Sequence, residues 1–146
     1  MIRKILLSFA IILGITSIAQ ARDNFSRDAS VLPKPAQTVI GNNFKSKVNL
    51  VKTEKTLGKV TEYEVIMTDG TEISFDRDGN WQSIEVGTSS SIPSFFILPA
   101  ISDYVKKNES GQKIVGIEKE RNGFEVELSN GIDMKFDKQG NFLRYD

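Results

Sequence analysis

One stretch of this chain occurs twice. Tyr63 to Trp81 reads Tyr-Glu-Val-Ile-Met-Thr-Asp-Gly-Thr-Glu-Ile-Ser-Phe-Asp-Arg-Asp-Gly-Asn-Trp. Phe124 to Phe142 reads Phe-Glu-Val-Glu-Leu-Ser-Asn-Gly-Ile-Asp-Met-Lys-Phe-Asp-Lys-Gln-Gly-Asn-Phe, at a constant shift and without a gap. Glu64, Val65, Gly70, Phe75, Asp76, Gly79 and Asn80 return as Glu125, Val126, Gly131, Phe136, Asp137, Gly140 and Asn141. What repeats is strand, turn, strand, turn, so the duplication dictates an architecture. It carries no reaction.

Alternation sets the faces. Tyr63, Val65, Met67, Ile73 and Phe75, and then Phe124, Val126, Leu128, Ile132, Met134 and Phe136, fall on one side of their strands. Glu62, Glu64, Glu72, Glu125, Glu127, Asp133 and Lys135 fall on the other. That pattern is expected of an antiparallel sheet covered on one side and open to water on the other. Asp69-Gly70, Asp78-Gly79-Asn80 and Asn122-Gly123 are turn signals, with Asp69-Gly70 read as a two-residue hairpin using positive φ at both positions.

The repeat extends upstream. Val48 to Glu54 reads as a first strand and Lys55 to Val60 as a loop. Leu50-Val51 and Glu54-Lys55 match Ile114-Val115 and Glu118-Lys119, which makes the first hairpin three residues longer than its counterpart. Before that strand, Leu32-Pro33-Lys34-Pro35 marks a helix start, with Ala36, Val39, Ile40 and Phe44 on one face. The counterpart is Ile92 to Lys107, where Pro93 suits a helix start and Pro99 must either kink the helix or begin it. The expected fold is therefore α+β. Two helix-plus-four-strand repeats, 32–86 and 92–146, are joined by a Ser-rich linker at 87–91 and form one sheet with helices on one face.

The beginning of the chain reads as an export signal. Arg3 and Lys4 precede an apolar run from Ile5 to Ala19, and Ala19-Gln20-Ala21 is a small-x-small cleavage site. The run is shorter than a spanning helix requires. Cleavage near Ala21, a flexible leader at 22–31 and a periplasmic or secreted product without an integral membrane anchor are expected. Without Arg3 and Lys4 the chain carries 17 basic against 19 acidic residues, which lacks the footprint of a nucleic-acid binder. There is no Cys and no His, so thiolate nucleophiles, disulfides, imidazole bases and Ser-His-Asp triads are excluded.

No candidate reaction centre survives inspection. Asp76-Arg-Asp-Gly-Asn80 resembles a calcium loop, yet the position where an EF-hand needs a bidentate Glu is Gly87, and the second copy has Lys138 and Gln139. Both loops read as turns. Ser110-Gly-Gln-Lys113 matches Ser-x-x-Lys but follows the helix rather than starting one. Paired carboxylates of a hydrolase are a third reading, against which the alternation argues.

The doubled pattern (Tyr/Phe)-Glu-Val, (Asp/Asn)-Gly, Phe-Asp, Gly-Asn-aromatic, behind a signal peptide, resembles the PepSY-like or β-lactamase-inhibitor-like family of exported Gram-negative bacterial proteins. The resemblance spans roughly 32–146 and implies two helix-plus-sheet halves with a β-lactamase-inhibitor-protein-like architecture. It supplies no catalytic motif and no cofactor. The expected function is a non-enzymatic binding or inhibitory module that contacts a protein or peptide through the open sheet face. The alternative is an envelope-associated structural subunit acting as a homo-oligomer. Counting from Ile84, Val86, Leu143 and Tyr145 as inward positions, the candidate contact residues are Ile66, Trp81, Ser83, Glu85, Glu127, Lys135, Phe142 and Arg144. Large aromatics and Arg are favoured at interfaces. A metal site and a cofactor are not expected.

Overall fold

A computed structural model describes residues 24–146. The signal segment 1–21 and its cleavage site lie outside the described residues. Among the described residues no helix is long and apolar enough to cross a membrane.

The fold is mixed α and β, and the described residues form nine antiparallel strands that follow chain order and two α-helices. Two compact units divide the chain between Gln82 and Ser83. In the first unit the elements are β1 (Phe25–Ser26), α1 (Lys34–Asn43), β2 (Val48–Thr56), β3 (Lys59–Met67) and β4 (Glu72–Asp76). Strand β5 (Trp81–Glu85) crosses the division. The second unit continues with α2 (Pro99–Asn108), β6 (Ile114–Glu120), β7 (Gly123–Leu128), β8 (Asp133–Asp137) and β9 (Phe142–Tyr145).

The described part of the segment expected as a flexible leader, 24–31, is structured. Phe25 and Ser26 pair with Lys52 and Val51, and the Asp28 carboxylate caps the 3-10 turn at Ala29–Val31 by accepting from Ser30 N at 2.8 Å. Short polar side chains that read as disorder in the sequence here form local turns.

Each helix begins at a proline-rich step, because a missing N–H is harmless in the first turn. Pro35 lies in the first turn of α1, and Pro99 is the first residue of α2. Pro93 instead precedes a 3-10 turn at Ser94–Phe96. Ala36 and Ile40 of α1, and Ile101 and Val105 of α2, are buried. Both helices end alike: Asn43 Nδ2 donates to Val39 O and Asn108 Nδ2 to Tyr104 O, each at 2.9 Å.

The second turn of each copy meets the start of that copy's helix. Gly79 adopts φ 88° and Gly140 φ 86°, conformations that L side chains rarely hold. A Cβ on Gly79 would come within 2.9 Å of Pro33 Cβ and 3.0 Å of Ala36 N. A Cβ on Gly140 would lie 3.1 Å from Ala100 Cβ. The invariance of glycine between the copies thus has a packing cause as well as a conformational one.

The expected apolar face forms the core. Val65, Met67, Ile73 and Phe75 are buried in the first unit, and Ile84, Ile117, Val126, Leu128, Met134 and Phe136 in the second. At the Asp69-Gly70 turn only Gly70 has positive φ, and Asp69 instead accepts from Thr71 N at 3.0 Å.

The β2–β3 hairpin differs from the sequence alignment. Lys52 faces Glu64, and Glu118 faces Glu125, so Lys52 and Glu118 are the equivalent residues and not Glu54 and Glu118. The first hairpin is therefore five residues longer than the second. Its pairing runs to Thr56 and Lys59, through what reads in the sequence as a loop, and its tip carries Leu57, fully exposed at φ 51°. Matching like charges in sequence hid a bulge between Glu54 and Lys55 that resets the register.

Candidate functional site

The polar side of the strands is organised in cross-strand rows. In the second unit one row runs Ser83, Glu118, Glu125, Lys135, Arg144, each residue facing the next across β5 to β9. The adjacent row runs Glu85, Gly116, Glu127, Asp133. Gly116 places no side chain between the carboxylate-bearing Glu85 and Glu127. In the first unit the equivalent rows are Lys52, Glu64, Ser74 and Leu50, Ile66, Glu72.

The central glutamates are not open to water as alternation suggests. Glu64 and Glu125 are buried. Each is paired with a lysine, but from opposite sides. Lys52 on the preceding strand reaches Glu64 at 3.3 Å and also pairs with Glu54. Lys135 on the following strand reaches Glu125 at 3.2 Å and Glu120 at 2.8 Å. The Glu120 hydrogen bond, against the opposing pull of burial and with help from Glu125, pushes the Lys135 ammonium up to about 12.

Several carboxyls on this side sit above their ordinary value. Burial raises Glu118, and the facing Glu125 raises it further. Burial likewise raises Glu72, with Glu64 adding to it. These groups resist ionisation because they share one face with few cations.

The eight residues singled out by sequence divide into groups. Lys135 and Arg144 face each other in one row, with Ser83 at its other end, buried. Glu85 and Glu127 share the adjacent row. Ile66 and Trp81 belong to the first unit; both are half-buried, and Ile66 faces Leu50 and Glu72.

Phe142 corrects the expectation that it points outward. It faces Phe136 and stacks on Tyr104 of α2, with ring centroids 4.5 Å apart and planes 10° from parallel. The cause is a bulge. Phe142 pairs with Phe136 and Arg144 with Lys135, so Leu143 is an extra residue in β9. The bulge turns Phe142 to the apolar side while leaving Arg144 on the polar side. Leu143, expected inward, is exposed. Tyr145 lies on the apolar side at the edge, donating its hydroxyl to Glu109 Oε1 at 2.7 Å. That carboxylate, with burial, pushes the Tyr145 phenol up to about 12.

The calcium-loop resemblance resolves into turn chemistry. Asp76 Oδ1 accepts from Asp78 N and Asn80 N at 2.9 Å, and Asp137 Oδ1 accepts from Gln139 N at 2.9 Å and Asn141 N at 2.8 Å. Hydrogen bonds from Asn141 hold the Asp137 carboxyl below its usual value. Among the described residues no cluster of three or more acidic side chains is arranged to hold a metal ion.

Residues 61–144, which contain both copies of the duplicated stretch, match the family described as "Putative beta-lactamase-inhibitor-like, PepSY-like". The chain belongs to this family. Three solved structures similar to this chain come from Bacteroides. A periplasmic protein of unknown function from Bacteroides vulgatus is 41% identical, with a TM-score of 0.78 over 84% of this chain and 97% of that one. One from Bacteroides thetaiotaomicron, described as "a putative calcium-regulated periplasmic protein", is 36% identical with a TM-score of 0.74, covering 82% and 93%. A DUF2874 periplasmic protein from Bacteroides vulgatus is 34% identical with a TM-score of 0.74, covering 85% and 98%. No curated protein matches the chain.

Proposed function

We propose that this PepSY-like protein is a non-enzymatic periplasmic binding module whose polar sheet face contacts a protein or peptide. The observation that carries the reading is the divergence of equivalent rows on one scaffold. Leu50, Ile66 and Glu72 in the first unit become Gly116, Glu127 and Asp133 in the second, while the apolar side keeps its character. Structural demands alone would let both polar faces drift toward generic solvation. Instead one carries an aliphatic pair and the other a glycine flanked by two carboxylates.

The contact set is Glu85, Glu127, Lys135 and Arg144 in the second unit and Ile66 and Trp81 in the first. Phe142 is left out, because its ring is packed on Tyr104. A periplasmic location is supported by the periplasmic relatives and by the basic start and apolar run of the sequence. A binding role is supported by the chemistry on the face. Its two buried carboxyls, Glu64 and Glu125, are each paired with a lysine, as a stable recognition surface requires. The calcium regulation in the description of the Bacteroides thetaiotaomicron relative is not part of this reading, since Asp76 and Asp137 direct their carboxylates to their own turns.

The test is affinity capture from periplasmic extract with matched variants. Glu127→Lys combined with Arg144→Glu should lose the captured partner and keep the melting temperature within a few degrees. A control that reverses charge on α2, Lys106→Glu, should retain it. Equal capture by both variants contradicts the proposal.

A further inference from the structure

β9 ends the sheet, and among the described residues its outer side has no partner strand. The repeat shows what that side is shaped to accept. Under the 61-residue match, Ser83 and Ile84 of β5 correspond to Arg144 and Tyr145 of β9. β5 uses this edge to hold β6: Ser83 faces Glu118, Ile84 faces Ile117, and Val86 N–H donates to Val115 O at 2.8 Å. On β9 the Asp146 N–H donates inward to Asp133 O at 3.0 Å, so strand alternation directs the N–H and C=O of Tyr145 outward, as in Ile84.

The other end of the sheet is already filled in this manner. Phe25 and Ser26 of β1 face Lys52 and Val51, the positions equivalent to Glu118 and Ile117. β1 therefore occupies on β2 the place that β5 occupies on β6. Two residues of extended chain suffice there. β9 is the one such edge left open among the described residues, and it exposes Leu143 and Tyr145 beside Arg144.

We propose that the outer edge of β9 binds an extended peptide segment of a partner protein as an added antiparallel strand, with an acidic residue opposite Arg144 and an apolar residue opposite Tyr145. The acidic position follows from charge, since Arg144 is largely exposed and its Asp146 contact is a loose 3.8 Å. The apolar position follows from Ile117, which covers Ile84 at the equivalent step. Backbone pairing gives such strand addition its affinity and alternate side chains give it selectivity. A peptide suits this edge better than the sheet of a second copy, because β9 is four residues long and bulged at Leu143, features that blunt pairing between sheets. This edge shares Arg144 with the polar face proposed above, and the two are told apart by amide shifts, which this proposal confines to Leu143–Asp146 and the polar-face reading extends to Glu85 and Glu127.

The probe is a labelled peptide copying 113–120, Lys-Ile-Val-Gly-Ile-Glu-Lys-Glu, which contains the required Ile117-Glu118 pair. It is compared with the same peptide carrying Glu118→Lys, against the wild-type chain and its Arg144→Glu variant. The wild-type chain should prefer the native peptide by about threefold to fivefold, as expected for one cross-strand charge pair. Arg144→Glu should reverse that preference, and amide shifts should cluster at Leu143–Asp146. The proposal is overturned by absence of saturable binding, by the same preference in both proteins, or by shifts at β1 and β2 or at β5 and β7. It is equally overturned by peptide-independent, concentration-dependent self-association centred on β9, which would make a second copy the occupant.

Discussion

Phe142 lies face to face on Tyr104, ring centroids 4.5 Å apart, and Phe136 meets both rings in a T-shaped arrangement. The stack ties the last strand to α2. Phe142→Ala removes most of an aromatic side chain from this cluster and should destabilise the chain by about 2–4 kcal/mol. Leu143→Ala, on the exposed bulge, should cost under about 1 kcal/mol. Urea unfolding of the two variants distinguishes them, and similar losses would mean that the bulge is not where the pairing puts it.

The Lys135 ammonium is the cation nearest the buried Glu125 in the lattice of side chains on β7 and β8, at 3.2 Å. Lys135→Met removes one cation from beside Glu125 and should cost about 1–3 kcal/mol at pH 7, because truncating one partner of a buried ion pair costs more than losing a surface contact. The loss should shrink as pH falls and Glu125 takes up a proton. Thermal melts of wild type and variant between pH 4 and pH 7 would show the two curves converging on the acid side.

Glu118 responds to pH in the opposite sense from a salt-bridged carboxylate. Its folded pKa is raised above the ordinary 4.5 by burial and by Glu125. The folded chain therefore holds the proton more tightly than the unfolded chain. This group's contribution to stability declines as pH rises from that ordinary value through the raised one. Glu118→Gln should accordingly stabilise the chain by about 0.5 kcal/mol at pH 7, the scale of one like-charge cross-strand pair, and should have no effect at pH 3. A variant less stable than wild type at pH 7 would count against the like-charge assignment.

Gly79 and Gly140 hold the same turn, yet their surroundings differ. At Gly79 an added Cβ meets backbone, Ala36 N at 3.0 Å, whereas at Gly140 it meets the side chain of Ala100 at 3.1 Å. Gly79→Ala should cost about 2–3 kcal/mol and Gly140→Ala about 1–2 kcal/mol, with strain from positive φ common to both. Calorimetry on the two single variants tests the order.

Much of this was legible before any coordinates. The strands and turns of both copies follow from period-two alternation interrupted by Asp-Gly and Gly-Asn, which is a local signal. Pro99 posed two alternatives in the sequence, and packing of Ile101 and Val105 against the core selects the start of the helix. What stayed hidden depends on pairing partners. Phe142, Leu143, Arg144 and Tyr145 fit a simple alternation once Phe142 is allowed to point outward, and the register against Lys135 and Phe136 exposes the bulge instead. Likewise Glu54 resembles Glu118 in sequence, while the strand opposite makes Lys52 its true counterpart. The exchange of the compensating lysine from β2 to β8 is invisible until that register is known.

The central claim is that the polar face of the strands meets the partner. Site-specific photocrosslinking in the periplasm tests it most directly, with the photoreactive residue placed in turn at Glu85, Glu127, Lys106 and Lys138. The account predicts one shared crosslinked species from Glu85 and Glu127 and none from Lys106 or Lys138. Crosslinks from Lys106 or Lys138 with none from the two glutamate positions would contradict it.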